Sequence, residues 1–204
     1  MKRFAALCLA ALCLAVLTAC GGETASRAET VRAYYTAHPS YTATAEVERV
    51  RDEGNARYTL RFDADGEETR VTVLAPELLA GVTARLSEEA LKLEYDGLVL
   101  DAGGSVDGVS AVNCVPLALR ALAGGYLLEE NEETIERGGE SVRALRVCLE
   151  SEADGGALRC TLWLGEDDAP LRAEIEENEK NTAFMEFTSF SFCDTIPKDS
   201  AETG

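Results

Sequence analysis

The side chains that could do chemistry in this 204-residue chain are one histidine, several carboxylate pairs and seven cysteines. His38 stands beside Pro39 at a predicted helix end, and no Gly-x-Ser-x-Gly elbow or Cys–His pairing indicates an activated nucleophile. Adjacent residues of a strand face opposite ways, which separates the carboxylates of Glu129–Glu130 and Glu132–Glu133, and Asp167–Asp168 lies in a turn without the spacing of a calcium loop. We interpret these pairs as solvated charge and predict a protein that is not an enzyme and holds no metal or cofactor.

Cys20 has the most definite predicted chemistry. Residues 1–19 read MKRFAALCLAALCLAVLTA, two cations followed by an uncharged apolar run, which is typical of an export signal and too short for a membrane-spanning helix. The end of this run, Leu17-Thr18-Ala19-Cys20, resembles the bacterial lipobox, which directs diacylglycerol onto the thiol before cleavage at its amino side. The resemblance implies that Cys20 is lipidated and anchors the mature protein to a membrane. The alternative is an ordinary secretory signal followed by an incidental cysteine.

The mature chain is strongly acidic. Of the 19 basic residues, Lys2 and Arg3 belong to the predicted signal, so 17 remain against 37 acidic residues, a formal charge of −20. Such a surface repels nucleic acid and anionic lipid headgroups, so neither is predicted as a partner. The acidity is spread along the chain, which indicates a solvated surface, with a basic partner as the alternative.

Four further cysteines lie in the body of the chain, at Cys114, Cys148, Cys160 and Cys193. They are widely separated and form no CxxC pair, which argues against a zinc site. An even number of cysteines in an exported protein permits disulfides, and Cys148 and Cys160 flank a predicted hairpin turn. Strand alternation points these two side chains to opposite faces, so we interpret the four cysteines as buried or half-buried free thiols.

Hydrophobic patterning predicts a linker, a helix and then strands. Residues 20–28 form the lipidated cysteine and linker, and a helix is predicted from Glu29 to Ala37. From Tyr41 onward apolar residues alternate with polar ones between Asp-Gly and Gly-Gly turns, which indicates about ten or eleven strands. The predicted fold is mainly β with short helices, a curved antiparallel sheet that forms an incomplete, half-open barrel covered by helices. This domain spans residues 29–194, and a polar tail follows at 195–204.

The stretch VPLALRALAGG breaks the strand pattern and predicts a second helix. Pro116 suits a first helical turn and Gly124 suits a helix end. Only Arg120 is charged between Val115 and Tyr126, so this helix must cover, or be covered by, apolar surface. It is either a core helix that plugs a barrel end or a lid over a ligand; the lid candidates are Pro116, Leu117, Leu119 and Leu122.

The apolar face of the predicted sheet, called the dry face because it is shielded from water, is the candidate binding site. Apolar residues lie on one side of the strands only, and the helices or a ligand must fill the concave surface that they form. The candidate lining residues are Tyr41, Tyr58, Leu60, Phe62, Val71, Val73, Leu93, Leu145, Val147, Leu162, Leu164, Phe184 and Phe187.

The carboxyl half carries a family resemblance. The segment TLWLGEDDAPLRAEIEEN…TAFMEFTSFSF, residues 161–192, resembles the end of the LolA/LolB-like lipoprotein-carrier superfamily: a Trp-bearing strand, an acidic turn, a strand ending in Glu and a strand ending in spaced Phe residues. Upstream, EALKLEYDGLVLDAG is similar to a hairpin of that family, and NCVPLALRALAGG falls where the family places a helix over the sheet opening. The resemblance covers residues 41–192 and contains no invariant catalytic residues.

The resemblance implies an unclosed barrel around an apolar cavity. The soluble periplasmic carriers of the family lack a lipobox, so this chain is more similar to the small LolA-like lipoproteins of Gram-positive bacteria, which include the germination lipoprotein GerS. Two functions follow as expectations. The first is a membrane-anchored protein on the outer face of the cytoplasmic membrane, or on an outer membrane, that binds an apolar ligand or acyl chain. The second is a scaffold for a cell-wall-processing partner, as in spore-cortex processing and germination.

Overall fold

The computed structural model describes residues 25–51, 54–87, 90–101, 108–153, 156–178 and 180–193. The predicted export signal, Cys20 and the predicted polar tail lie outside the described residues. Within these ranges the chain forms helix α1 (Arg27–Ala37), helix α2 (Cys114–Gly124) and one short 3-10 helix (Glu77–Leu79). The strands are β1 (Ser40–Arg49), β2 (Ala56–Asp65), β3 (Thr69–Ala75), β4 (Thr83–Leu86), β5 (Leu91–Tyr95), β6 (Leu98–Asp101), β7 (Tyr126–Arg137), β8 (Glu140–Ala153), β9 (Gly156–Leu164), β10 (Pro170–Glu177) and β11 (Lys180–Phe192).

The eleven strands of the described chain form one antiparallel sheet. Their order is β6-β5-β4-β3-β2-β1-β11-β10-β9-β8-β7. Every pair is a neighbour in sequence except β1 and β11, which join the two halves of the sheet antiparallel to each other. Strands β6 and β7 are the edges, so the sheet is not closed. The predicted mainly β, unclosed antiparallel architecture with two helices is confirmed.

The predicted tight turns have the backbone conformation that their sequences favour. Asp96 and Gly97, between β5 and β6, have φ values of 49° and 75°. Gly138 and Gly139, between β7 and β8, have φ values of 60° and 85°. Two consecutive positive φ angles suit a two-residue hairpin loop, whose twist matches that of the flanking strands. These turns fix the register of their hairpins.

Helix α1 begins two residues before the predicted Glu29 because Ser26 caps it. The Ser26 hydroxyl accepts a hydrogen bond from the Glu29 backbone N–H at 3.1 Å, and the Glu29 carboxylate accepts one from the Ser26 N–H at 3.0 Å. This capping box satisfies two N–H groups that would otherwise lack partners. His38 caps the other end, where its backbone N–H donates to the Tyr34 carbonyl and its ring stacks on Tyr34 at 4.1 Å. His38 is therefore a helix-end residue, as predicted.

Helix α2 is part of the core. It packs against β8, β9, β10 and α1, and six of its residues are buried. Helix α1 is fastened to the carboxyl end of α2 by Arg32, whose Nε donates to the Leu122 carbonyl at 3.1 Å. Gly125 follows α2, and a Cβ there would lie 2.6 Å from the Ala121 carbonyl oxygen, so only glycine fits. No helix in the described ranges is long and apolar enough to cross a membrane.

A β-bulge in β11 decides where the aromatic side chains of the carboxyl end point. The register shifts between Thr44 and Ala45 of β1, which leaves Thr188 without a cross-strand partner. The bulge puts Phe190 on the same face as Phe187, although the two are three positions apart, because an inserted residue shifts strand alternation by one. Phe190 then lies 5.7 Å from the ring of Tyr41, and an aromatic cluster closes this end of the core.

Candidate functional site

Twelve of the thirteen predicted lining residues share the inner face of the sheet, the face on which α1 and α2 pack. Ten of these belong to the buried core, and Tyr58 and Leu93 are half-buried against it. The ten are Tyr41, Leu60, Phe62, Val71, Val73, Leu145, Val147, Leu162, Leu164 and Phe187.

The interior is filled by the protein's own side chains at these positions. None of the ten core residues exceeds 8% exposure, and Leu162, Leu164 and Phe62 have none. An empty apolar cavity beside a side chain would leave part of its surface accessible. The inner face around these residues is therefore packed like an ordinary protein core.

Phe184 does not share this face, which corrects its predicted placement. Its neighbours Ala183 and Met185 are both fully buried in the core, so strand alternation directs Phe184 outward. It lies between Glu48 of β1 and Glu174 of β10, its two cross-strand partners. The prediction grouped Phe184 with Phe187, although a spacing of three residues puts the two side chains on opposite faces.

The predicted lid residues belong to a packed helix. Leu119 and Leu122 are buried in the core, Leu117 is half-buried against it, and Pro116 is half-buried at the amino end of α2. The Asn113 side chain fixes the turn that precedes the helix, since its Oδ1 accepts from the Ser110 N–H at 2.7 Å and its Nδ2 donates to the Gly108 carbonyl at 2.8 Å. This geometry is that of the predicted core helix.

A wide recess lies on the outer face of the sheet. We call it the Phe184 groove; it has a volume of about 700 Å³ and crosses β2, β1, β11 and β10. Ala75, Pro76 and Phe184 are among its uncharged lining residues. The charged lining residues are Glu46, Glu48, Arg57, Arg172, Glu174 and Glu186.

Each of the two arginines that line the groove forms an ion pair with a glutamate of the groove. Arg57 lies 2.9 Å from Glu48, and Arg172 lies 2.7 Å from Glu186. Arg172 donates through both Nε and Nη2 to the same Glu186 oxygen, at 2.9 and 2.7 Å, which fixes the guanidinium in place.

Two other carboxylates of the groove have no direct polar contact with the described residues. Among the described residues, Glu46 and Glu174 form no hydrogen bond or ion pair. Burial raises the pKa of Glu174, while the nearby cations Arg172 and Arg146 act in the opposite direction. The four carboxylates and two guanidiniums give the groove a formal charge of −2.

Trp163 packs against Arg172, one of the residues that line the groove, and sequence analysis missed this role. Trp163 is only 8% exposed although it lies on the outer face. The guanidinium carbons of Arg146 and Arg172 lie 6.0 and 5.7 Å from its ring centre, within the range of cation–π contacts. Its indole N–H donates to Glu133 of β7. Alternation alone could have placed Trp163 outward, but not the side chains that cover it.

The acidic pairs predicted to be merely solvated include structural contacts, which corrects that interpretation. Arg27, the first residue of α1, bridges Glu132 at 2.9 Å and Asp168 at 2.8 Å. Its Nη2 also donates to the Gly165 carbonyl at 2.8 Å, and the Ser26 hydroxyl donates to Glu130 at 2.6 Å. These contacts fasten the start of α1 to β7 and to the turn between β9 and β10.

The four body cysteines are free thiols, as predicted. Cys160 pairs across the strands with Leu149, whereas Cys148 pairs with Thr161, so the two thiols lie on opposite faces of the sheet. Burial raises the pKa of Cys160 to about 12. Such a thiol stays protonated near neutral pH and is a poor nucleophile.

One sheet edge exposes apolar side chains. Leu98, Val99 and Leu100 of the edge strand β6 are 71%, 62% and 66% exposed, and Tyr95 of β5 is also exposed.

In the ranges that the structure describes, no group of three or more His, Cys, Asp or Glu side chains is arranged to hold a metal ion.

Comparisons with known proteins found matches to solved structures alone. No protein-family model matches the sequence, and no curated protein matches it. A LolA superfamily protein from Nitrosomonas europaea aligns with 84% of this chain and 96% of its own, at 10% identity and a TM-score of 0.46. The Mycobacterium tuberculosis lipoprotein LppX aligns over 80% and 93% of the two chains, at 12% identity and a TM-score of 0.44. The structure of the CwlD amidase from Clostridioides difficile in complex with the GerS lipoprotein aligns over 86% and 98%, at 14% identity and a TM-score of 0.34.

Proposed function

We propose that this chain is a membrane-anchored, extracytoplasmic lipoprotein with a LolA-like domain that acts without catalysis, as a docking protein for a partner in the cell envelope. The observation that carries this proposal is the contrast between the two faces of the sheet. The inner face is packed by the protein's own side chains, whereas the outer face has an open groove of about 700 Å³ with unmatched charge. A surface that is open and incompletely paired suits a macromolecular partner.

The predicted anchor supports docking at a fixed position. Ser26 is fastened to Glu130, and Cys20 precedes Ser26 by six residues. Six residues span at most about 21 Å even when fully extended. A lipid on Cys20 would thus keep this end of the sheet close to the membrane. A protein that is held by two acyl chains rarely leaves the membrane. A short tether of this kind favours a fixed scaffold over a carrier that shuttles.

The partner class that we propose is a cell-wall-processing enzyme. The proposal rests on the sequence resemblance to GerS-like lipoproteins, which also makes spore-cortex processing and germination the first processes to test. The proposed scaffold would recruit or stabilise that enzyme at the membrane surface.

A second candidate function is binding of an apolar ligand. The observation that favours it is the half-buried inner surface near β4 and β5, where Leu86, Leu91 and Leu93 pack against the core without being enclosed by it. An acyl chain laid on this surface would extend the core outward. The helices α1 and α2 would not need to move.

The test begins with the anchored protein in its own cells. The full chain, cross-linked in living cells and purified from membranes, is expected to yield one envelope enzyme, and the purified pair is expected to form a complex of defined mass in light scattering. A candidate enzyme that elutes separately from the chain at micromolar concentration would refute docking. Native mass spectrometry of the same sample distinguishes the second candidate, because a bound lipid would add its mass to the chain.

A further inference from the structure

We propose that the Phe184 groove binds a basic segment of the protein partner, with the aliphatic stem of a lysine or arginine on the Phe184 ring and its cationic head between Glu46 and Glu174. The inference rests on the proposed docking function and names the surface and the partner chemistry. The groove and its charges are the observations that carry it.

The shape of the site follows from strand pairing. Phe184 has Glu48 on one side and Glu174 on the other as direct cross-strand partners, and Glu46 is the direct partner of Glu186, two residues further along β11. Strands lie about 4.8 Å apart and rise about 3.3 Å per residue, which puts the backbone positions of Glu46 and Glu174 about 12 Å apart across β11. Side chains that lean from both positions toward β11, along the outer face, can reach a cation held over the Phe184 ring.

The charges select a cation. Arg57 and Arg172 are each occupied by a carboxylate at 2.9 and 2.7 Å, so neither is free to attract an anion. Within the described chain, the carboxylates left without a partner in the groove are Glu46 and Glu174. A basic segment would supply the two missing positive charges, and Phe184 would add a cation–π contact.

The arrangement has a cost for folding, and this cost argues for a role in binding. Glu46 stands directly opposite Glu186, and like charges in direct cross-strand pairs destabilise a sheet. Glu174 is half-buried without a hydrogen bond among the described residues, and withdrawing a charge from water without a hydrogen bond is costly, a cost that the nearby Arg172 and Arg146 offset only in part, since burial remains the larger effect on the pKa of Glu174. Neutral residues at these positions would remove both costs. Bound cations would offset them in the complex.

The experiment measures binding of a fluorescein-labelled tetralysine peptide to the full chain in phosphatidylcholine nanodiscs by fluorescence anisotropy. Glu46→Gln/Glu174→Gln is expected to weaken binding about tenfold, since both charges that face the cation are lost. The control is Glu140→Gln/Glu152→Gln, which removes the same net charge from two exposed positions at the ends of β8 and is expected to change binding less than twofold. Equal losses in both double variants would mean that diffuse charge binds the peptide and would overturn the proposal. No loss in either would do the same.

Two further measurements sharpen the result. Phe184→Leu keeps an apolar side chain but removes the aromatic face, and about threefold weaker binding is expected, which corresponds to a cation–π contact at an exposed site. Spermine carries the same number of positive charges as tetralysine and serves as a competitor. If spermine displaced the peptide at a tenfold lower concentration, the groove would belong to a free polyamine, and a protein segment would be excluded.

The outcome separates this inference from the docking function. If a purified partner binds the chain and Glu46→Gln/Glu174→Gln leaves that complex unchanged, docking stands and the groove is not its site. If the groove binds tetralysine with the expected dependence on Glu46 and Glu174 but no partner complex forms, the docking function itself fails.

Discussion

Leu162→Ala tests whether the inner face is a packed core or a ligand cavity. Leu162 lies in β9, has no exposed surface and pairs across the strands with Val147 and Ala173, both also buried. Helix α2 packs against β9 and its two neighbours from the inner side. In such surroundings a truncated side chain leaves a void that no neighbour can fill.

The expected loss of stability is about 4 kcal/mol. Removing three carbon groups from a buried site costs about 0.8 kcal/mol each, or about 2.4 kcal/mol. A residual void of roughly 70 Å³ adds about 1.7 kcal/mol at about 24 cal/mol per Å³. If Leu162 instead lined an empty cavity, its side chain would already lack many packing contacts, so truncating it would lose less. The loss of stability would then be about 1.5 kcal/mol or less.

The assay is urea unfolding followed by tryptophan fluorescence, with all variants made in a Cys20→Ala background so that no lipid anchor complicates the transition. Leu98→Ala is the matched control, because Leu98 is 71% exposed and the same truncation there is expected to change the free energy of unfolding by less than about 0.5 kcal/mol. A loss below about 1.5 kcal/mol for Leu162→Ala would refute the packed interior and strengthen the ligand-binding alternative.

Three further predictions follow from the anchor, the thiols and the groove. Cys20→Ala is expected to release the protein in soluble form or to leave its precursor uncleaved in cell fractions, and normal processing with full membrane retention would contradict lipidation. Alkylation at pH 8 is expected to modify the half-buried Cys193 first and to reach Cys160 only after unfolding, because burial raises the pKa of Cys160 to about 12; mass spectrometry of peptides reports the order. Because burial raises the pKa of Glu174, the native state binds its proton more tightly than the unfolded chain, and this contribution to stability is lost as the pH rises through the raised pKa. Glu174→Gln is therefore expected to increase the urea midpoint at pH 7, and to change it little at an acidic pH below the pKa of an ordinary carboxyl group. An equal increase at pH 7 and at the acidic pH would show that the charge of Glu174 is not the cause.

The strands and turns of this chain were predictable because their signals are local. Alternation in YTATAEVERV indicates one buried and one solvated face whatever lies on either side, and Asp96-Gly97 favours a tight hairpin by its backbone preferences alone. The apolar composition of α2 likewise required burial, and the structure buries it. The start of α1 was missed by two residues because the prediction followed apolar spacing and overlooked the Ser26–Glu29 capping box, which is visible in the sequence.

The long-range contacts were not predictable in this way. The bulge at Thr188 redirects Phe190 toward Tyr41, and a bulge depends on the register between two strands instead of on the sequence of one. The acidic residues of β7 looked solvated in isolation, but Arg27 and Trp163, which approach from distant parts of the chain, turn Glu132 and Glu133 into structural partners.

The sequence by itself determined that this is a mainly β chain with one dry face, two helices and a strongly acidic surface, because patterning and composition act at every residue without reference to the rest. Only the tertiary structure decided that β1 lies beside β11, more than 130 positions away along the chain. That pairing brings Glu46, Phe184 and Glu174 together on the outer face. It also joins the two halves of the sheet around a packed interior. The candidate site exists because distant strands meet, and alternation within any one strand carries no information about which strand will be its neighbour.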